Sequence, residues 1–572
     1  MKIDRYAQRG DIIGVQQELA LGVSIDSINS TADSFKPQTP LQCALASPIT
    51  GIDMVEFLLA QGATLSLTPK QGKSDLYWAV CSGNLEKVQL LLNLGAEIGY
   101  VDANGYDVLI DAMFSEAQGA EKIALVKFLI AKGAGLQGRS SYGESALSVA
   151  SRCGWFEMVQ VLLEAGCDRA LLGWTDLMHT VAFGTVSEIE AQLQQGADLT
   201  TVDDWERTPW LLSLQAGDLE KAQYLLNAGS NPRATGRCGK LPMMYALESG
   251  NLPMLSWLIE LGLDVNAADQ FGETALMLAA ELDQVEAASI LLNAGAIASQ
   301  SDEYNGTAIK KAGSVEMIEG LIAAGEDLAD IESSDRRLFT KVDFPGEWEL
   351  ARQHYDADKY PRFGTRNPEV MNVPFWREMV RFRGGACTAR SYYHDTEYNA
   401  EEAVWCFDRF GQSITRLPDG RVVEIAGEHE DYYDPDFYIY NDVVVYDGHG
   451  DFQIYGYPRT VFPPTDFHTA TWVDGWIYII GNLGYSSDRR IGETPIYRLN
   501  CITFAIEEVS TQGESPGWIS SHRAVPRDRQ LHISSGKVWA IQQDKPMLVD
   551  NTATYILDLD QHCWHRVEAE SS

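Results

Sequence analysis

A chain of 572 residues with 45% hydrophobic and 10% aromatic side chains is too long for one ordinary core and too apolar to be disordered, so at least two folded units are expected. Its formal net charge of −37, from 81 acidic against 44 basic residues, repels phosphate backbones and sets direct nucleic-acid binding aside. No apolar run reaches the roughly 18 residues that span a bilayer. Met1-Lys2-Ile3-Asp4-Arg5 is not followed by the apolar segment of a secretory signal, so the expected compartment is cytoplasmic, without membrane attachment. The nine cysteines run from Cys43 to Cys563 with no Cys-x-x-Cys pair, which fits reduced thiols. The charge is uneven. Residues 1–335 carry 20 basic and 45 acidic side chains, a balance of −25, and residues 336–572 carry 24 and 36, a balance of −12. A basic protein partner drawn in by this field and simple solubility both fit.

The first 335 residues repeat themselves. Helical apolar runs that end in glycine recur as Leu91-Leu92-Asn93-Leu94-Gly95, Leu162-Leu163-Glu164-Ala165-Gly166, Leu225-Leu226-Asn227-Ala228-Gly229 and Leu291-Leu292-Asn293-Ala294-Gly295. From Gly62 through Gly95, Gly133, Gly166, Gly196, Gly229, Gly262 and Gly295 to Gly325 the steps are 33, 38, 33, 30, 33, 33, 33 and 30 residues. Each glycine marks a helix end where the chain turns left-handed, a conformation that costs other residues. Thr39-Pro40-Leu41, Ser74-Asp75-Leu76, Ser145-Ala146-Leu147, Thr208-Pro209-Trp210, Thr274-Ala275-Leu276 and Thr307-Ala308-Ile309 follow the same rhythm. There the hydroxyl can cap a first helix and proline suits its first turn. Asn84, Asp218 and Asn251 are placed to cap the second helix, and Thr185 with Glu188 has capping-box spacing. The predicted unit is turn, short helix, tight turn, longer helix, turn.

These residues resemble the ankyrin repeat across about residues 1–335, in about nine repeats with a partial one at the start, Gly10-Asp11 to Gly22. The histidine usual after Thr-Pro-Leu is absent; Gln42, Tyr77, Ser148, Met178, Leu211, Met244, Met277 and Lys310 take its place. Its hydrogen bond between neighbours is therefore lost, and a stack held mainly by apolar packing is expected. The resemblance implies an all-α solenoid whose concave surface binds another protein. In that register Gln38, Lys73, Tyr106, Glu144, Trp174, Arg207, Lys240 and Glu273 precede the marker, while Arg152, Gln215, Glu248 and Glu281 close first helices. Trp205 falls at a turn tip. Tyr106, Arg152, Trp174, Trp205, Arg207, Glu248 and Glu281 are the expected partner-binding residues, with Trp174 and Arg207 projecting from a turn. Packing of the tryptophans onto neighbouring turns is the alternative. Trp210, in the leucine's place, and Trp78 read as core.

Residues 336–404 break the pattern, and 336–390 hold 11 basic against 7 acidic residues. Within them 360–366 reads as turn and loop and 374–383 as a short helix. This basic, aromatic-rich junction is expected to dock onto the last repeats rather than onto nucleic acid. From about residue 401 the period becomes two. Residues 421–426, 476–480 and 537–541 read as strands, each after a turn (Asp419-Gly420, Asp474-Gly475, Ser535-Gly536). Each is followed by another strand, at 443–447, 495–499 and 555–559. Phe452, Phe504 and Trp564 then close the units at steps of 52 and 60 residues. Residues 405–572 thus resemble kelch repeats, an all-β partial propeller of about three blades, with 404–407 as part of a further one. The family's double glycine is single at Gly427 and Gly481 and missing at Gln542-Gln543. Closed propellers have 4–8 blades. The array is therefore expected either to be capped by the junction, as a monomer, or to be completed by a second chain in a homodimer.

Glu428, His429, Glu430 and Asp431, with Asp434 and Asp436, include the residue types of a divalent-ion site. They lack regular ligand spacing, so a solvated acidic loop without metal is expected. His562 and Cys563 are neighbours on a strand-like segment and face opposite ways. There is no phosphate loop, nucleophile elbow or H-E-x-x-H helix, so no catalytic residue and no cofactor are assigned. The expected function is a non-enzymatic protein-interaction scaffold. The alternatives are a bacterial immunity or antitoxin-like protein covering a basic toxin, and a carbohydrate-acting or metal-dependent enzyme in the kelch-like domain.

Overall fold

A computed structural model of the chain describes residues 2–28, 36, 39–66, 73–326, 328, 331, 336–343, 348, 350–395, 402–429, 436–542 and 544–567. Gln38, Glu430, Asp431 and Asp434 lie outside the described residues. The chain divides into two compact units, Met1–Ala275 and Leu276–Ser572. Among the described residues no helix is long and apolar enough to cross a membrane.

The first unit is a succession of helix pairs, from Lys2–Arg9 with Ile12–Ala20 to Pro242–Ser249 with Leu252–Glu260. The caps follow the sequence. The Thr39 and Ser145 hydroxyls accept from the third helical N–H in full capping boxes, and Ser74 accepts from Tyr77 N at 3.1 Å. Asn84, Asp218 and Asn251 cap the second helices, and Thr185 and Glu188 bond reciprocally. Second helices bury matched apolar pairs such as Val88 with Leu91 and Val159 with Leu162. Each then ends at a glycine with φ near +90°, as at Gly95 and Gly196.

Polar bonds between repeats accompany the apolar packing. Gln42, in the place of the missing histidine, donates its amide to Asp75 of the next repeat at 3.2 Å. The buried Lys87 ammonium donates to the carbonyls of Ala44 at 2.8 Å and Ser47 at 2.6 Å in the preceding repeat. Lys221 does the same to Val181 at 3.0 Å. A lysine that satisfies the open carbonyls of a neighbour's helix end replaces the lost contact. Burial lowers the Lys87 ammonium to about 8.

The second unit begins within the helix Ala275–Glu281 and continues with Val285–Asn293, Ala308–Lys311 and Val315–Ala323. Thr307 makes no side-chain cap bond to Ala308–Lys311. Three sheets follow, each built on four antiparallel strands. The first holds Ser413–Arg416, Val422–Ile425, Val443–Tyr446 and Phe452–Gly456. The second holds Thr469–Val473, Trp476–Ile480, Ile496–Asn500 and Ile506–Glu508. The third holds Arg523–Arg527, Gln530–Ser534, Thr554–Asp558 and Cys563–Val567, with Gln512–Gly513 added parallel to the last of them. Period-two alternation stacks them. Ile477 and Ile479 pack with Val423, Ile425 and Val445 of the first sheet, and Tyr478 and Ile480 with Leu531, Ile533 and Leu557 of the third. Among the described residues the sheets do not close into a propeller.

Two strand assignments change. In the third sheet the second strand is Gln530–Ser534, whereas Lys537–Gln542 pairs with Trp518–Ser520 and Lys545–Asp550 in a separate three-stranded sheet. Ser535-Gly536 imitates Asp474-Gly475, while Pro526 and two arginines hide the strand Arg523–Arg527. Residues 404–407 form no strand. Their side chains are buried, and Trp405 stacks on Trp376 at 5.0 Å.

The junction holds the helices Arg337–Thr340, Arg352–Asp358, Pro374–Phe382 and Ala386–Tyr392, and packs on the first sheet. Glu369–Val370 adds a fifth strand beside Phe452–Gly456, Arg377 donates to the Phe452 carbonyl at 2.7 Å, and Arg383 reaches the buried Glu424 at 3.2 Å. Its arginines therefore serve a buried carboxylate and a sheet edge. The last helix, Val315–Ala323, also meets the sheets. Glu319 pairs with Arg416 of the first sheet, and Arg523 of the third lies 3.4 Å from where a Cβ on Gly325 would be.

Candidate functional site

Several of the turns that precede first helices share one construction. Asp102 accepts from the N–H groups of Asn104 and Tyr106 at 2.8 and 2.9 Å, Asp203 from Trp205 and Arg207 at 3.0 and 2.9 Å, and Asp269 from Phe271 and Glu273 at 2.8 and 2.9 Å. An aspartate that binds the backbone two and four residues on fixes the tip between them. Of the middle residues of these tips, Phe271 is exposed and Trp205 half-buried; Tyr142, 73% exposed, tops a turn in which the Ser140 hydroxyl accepts from the Glu144 N–H at 3.1 Å. In the second unit Asp302 builds the same turn under the exposed Tyr304.

Side chains behind the tips connect one repeat to the next. Lys73 pairs with Asp102 at 2.7 Å, Tyr106 donates to Glu144 at 2.7 Å, and Glu144 pairs with Arg152 at 3.3 Å. The guanidinium of Arg152 lies 5.1 Å from the Trp205 ring centre and that of Arg237 lies 5.4 Å from it. Gln215 donates to Glu248 at 2.8 Å, and Lys240 pairs with the same carboxylate. Burial first, and then Glu144, pushes the Tyr106 phenol up to about 12, so it stays a donor.

The expected partner-binding residues fall into three groups. Tyr106, Arg152, Trp205 and Glu248 belong to this connected row and are half-buried. Trp174 and Arg207 do not project. Arg207 is 1% exposed, and both hold Asp203: the Trp174 indole donates at 3.1 Å and Arg207 Nε at 2.8 Å. Arg207 also donates to the Ser151 carbonyl at 2.7 Å. A guanidinium with that many fixed acceptors is part of the scaffold under the tip. Glu281 is exposed in the second unit, 3.6 Å from Lys311. The sequence reading passed over Tyr142, Phe271 and Tyr304. The signal was there, since Trp205, Phe271 and Tyr304 are 66 and 33 residues apart. Among the described residues no group of three or more histidine, cysteine or acidic side chains is arranged to hold a metal.

Family models for ankyrin repeats match residues 6–102 and 177–269, and a further ankyrin repeat matches 271–303. These segments are ankyrin repeats. The unmatched stretch between them contains the long second helix Gly119–Ala131 and the 3-10 turn Arg169–Leu172, where the spacing departs from 33. No kelch model is among these matches. The chain is 27% identical over 200 residues to the putative ankyrin repeat protein YahD of Escherichia coli, covering 33% of this chain and 97% of that one. It is 28% identical over 201 residues to transient receptor potential cation channel subfamily A member 1 of Drosophila melanogaster, covering 34% of this chain and 17% of the channel. Over 132 residues it is 30% identical to the mouse B-cell lymphoma 3 protein homolog, covering 23% of this chain and 28% of that protein. The chain thus spans nearly all of YahD but less than a third of either of the other two.

Proposed function

We propose that this protein is a non-enzymatic interaction scaffold that binds a partner protein through the turn tips and first-helix ends of its ankyrin repeats. The observation that carries this reading is the row of aromatic tips, Tyr142 on a turn fixed by Ser140 and Trp205 and Phe271 on turns fixed by aspartate, backed by the Tyr106–Glu144–Arg152 chain. Rigid aromatic side chains beside arginine are the groups that dominate interface energies. Ankyrin repeats are in general interaction modules, which agrees. The balance of 45 acidic against 20 basic residues in 1–335 favours a basic partner. We read the three stacked sheets as kelch-like modules built onto the end of the repeats.

Trp205→Ala with Tyr142→Ala should weaken binding of a partner captured by the full chain by about 2 kcal/mol or more. The melting temperature should change little, because neither ring is core. Calorimetric titration of the captured partner measures it, and an unchanged Kd moves the site off the tips.

A further inference from the structure

The second sheet borders a cleft of about 490 Å³, within the span of small-molecule sites, about 300–1,000 Å³. Its walls come from the loop 459–464, the loop 482–495 and the paired strands Ile496–Asn500 and Ile506–Glu508. They are held from behind. The Asn482 amide donates to the Pro464 carbonyl and accepts from the Asp466 N–H, both at 3.0 Å. The Trp518 indole donates to the Leu483 carbonyl at 3.2 Å, and the Thr494 hydroxyl to the Gly517 carbonyl at 2.8 Å. Pro463, Pro464 and Pro495 stiffen the rim.

The polar groups of the cleft divide into paired and unpaired. Arg459 pairs with Asp488 at 3.0 Å and Arg490 with Glu493 at 3.3 Å. With Glu508 the lining holds two arginines against three carboxylates, which disfavours a phosphate or carboxylate ligand. Among the described residues the Thr460 and Tyr497 hydroxyls and the Glu508 carboxylate have no hydrogen-bond or ion-pair partner. Tyr497 and Glu508 stand opposite each other on neighbouring strands, so their side chains leave the sheet on one face. The Tyr497 ring meets Phe462 edge-on at 5.4 Å, which fixes the place of its hydroxyl. Burial first, and then Glu508, pushes that phenol up to about 12, so it stays a donor.

We propose that this cleft binds a neutral polyhydroxylated ligand, a mono- or disaccharide. Sugar hydroxyls both donate and accept, which is what the three unpaired groups require. The Glu508 carboxylate accepts from two adjacent hydroxyls, the Tyr497 hydroxyl donates to a sugar oxygen, and Thr460 does either. The C–H face of a pyranose is apolar and packs against the proline walls and Trp518. The site is separate from the turn tips and does not depend on the partner that they bind.

The test is saturation-transfer NMR of the full chain with glucose, galactose, mannose, N-acetylglucosamine, maltose, cellobiose and lactose, followed by calorimetric titration of the strongest binder. At least one sugar should receive saturation. Glu508→Ala should weaken its binding by about tenfold or more and Tyr497→Phe by about fivefold, the loss of a charged and of a neutral hydrogen bond. Neither change removes a bond within the protein, so both variants should keep the wild-type melting temperature. Glu507 faces the other side of the strand, where it holds Arg498 at 2.6 Å, and Glu507→Gln should bind the sugar as the wild type does. Spermidine is the cationic control. Saturation reaching none of these sugars overturns the proposal, whether or not spermidine binds. So does a sugar whose affinity is the same in the wild type, Glu508→Ala and Tyr497→Phe.

Discussion

Arg207 offers the clearest test of how the turn tips are built. Replacing it with methionine keeps most of the volume and removes a guanidinium that binds Asp203, the Ser151 carbonyl at 2.7 Å, the Ser151 hydroxyl at 2.6 Å and Gln215. Both side chains of the Arg207–Asp203 pair are within 1% of complete burial. Removing one partner of a buried ion pair costs about 3–5 kcal/mol, because the other charge stays behind. Asp203 would keep the Trp174 indole and the N–H groups of Trp205 and Arg207. The lower end of that range, about 3 kcal/mol, is therefore expected. Urea unfolding followed by helical circular dichroism reads it as an earlier first transition. Asp203→Asn combined with Arg207→Met should cost clearly less than the sum of the two single changes, since the double variant strands no charge. An Arg207→Met protein with the wild-type midpoint would show that the pair does not hold the tip.

The sheets should weaken in acid. Burial pushes both His468 and His522 down to about 3, so below pH 6.5 the unfolded chain takes up two protons that the folded chain refuses until about pH 3. Stability therefore falls as the pH drops through that window, by about 2 kcal/mol per histidine at pH 5. Urea midpoints from tryptophan fluorescence at pH 7 and pH 5 measure this, and His468→Gln with His522→Gln should remove most of the difference; an unchanged difference refutes the assignment. A fragment Leu276–Ser572 should resist limited proteolysis, while residues 336–572 alone should be cut readily because Glu319 no longer meets Arg416. Equal resistance would mean that the last repeat helix contributes nothing to the sheets.

The repeat architecture was legible because its determinants are local. A glycine with positive φ, a hydroxyl one residue before a helix and an apolar pair every turn need no distant partner, so Gly95, Ser74 and the Thr185–Glu188 box stand where the sequence puts them. Long-range bonds were not legible. Nothing near Lys87 in the chain announces that its ammonium ends on Ala44 and Ser47, more than a repeat away. The same limit hid the fate of Arg207 and Trp174. A turn position predicts exposure, but Asp203 draws both side chains inward across a repeat boundary. The register of the third sheet failed for a different reason. Ser535-Gly536 has better turn chemistry than Asp528-Arg529, and only the pairing of Gln530–Ser534 with Thr554–Asp558 decides between them. The contact of Cys406 with His429 joins residues 23 apart through a loop and a strand, and no periodicity points to it.

The central claim is that a partner lies on the tips of the ankyrin repeats. Hydrogen–deuterium exchange of the full chain, with and without the partner it captures, tests this most directly. The account predicts slowed exchange on binding at residues 102–106, 140–144, 203–207 and 269–273, with the second helices unchanged. Protection confined to the sheets of residues 413–567, with those four turns exchanging as in the free protein, would contradict it.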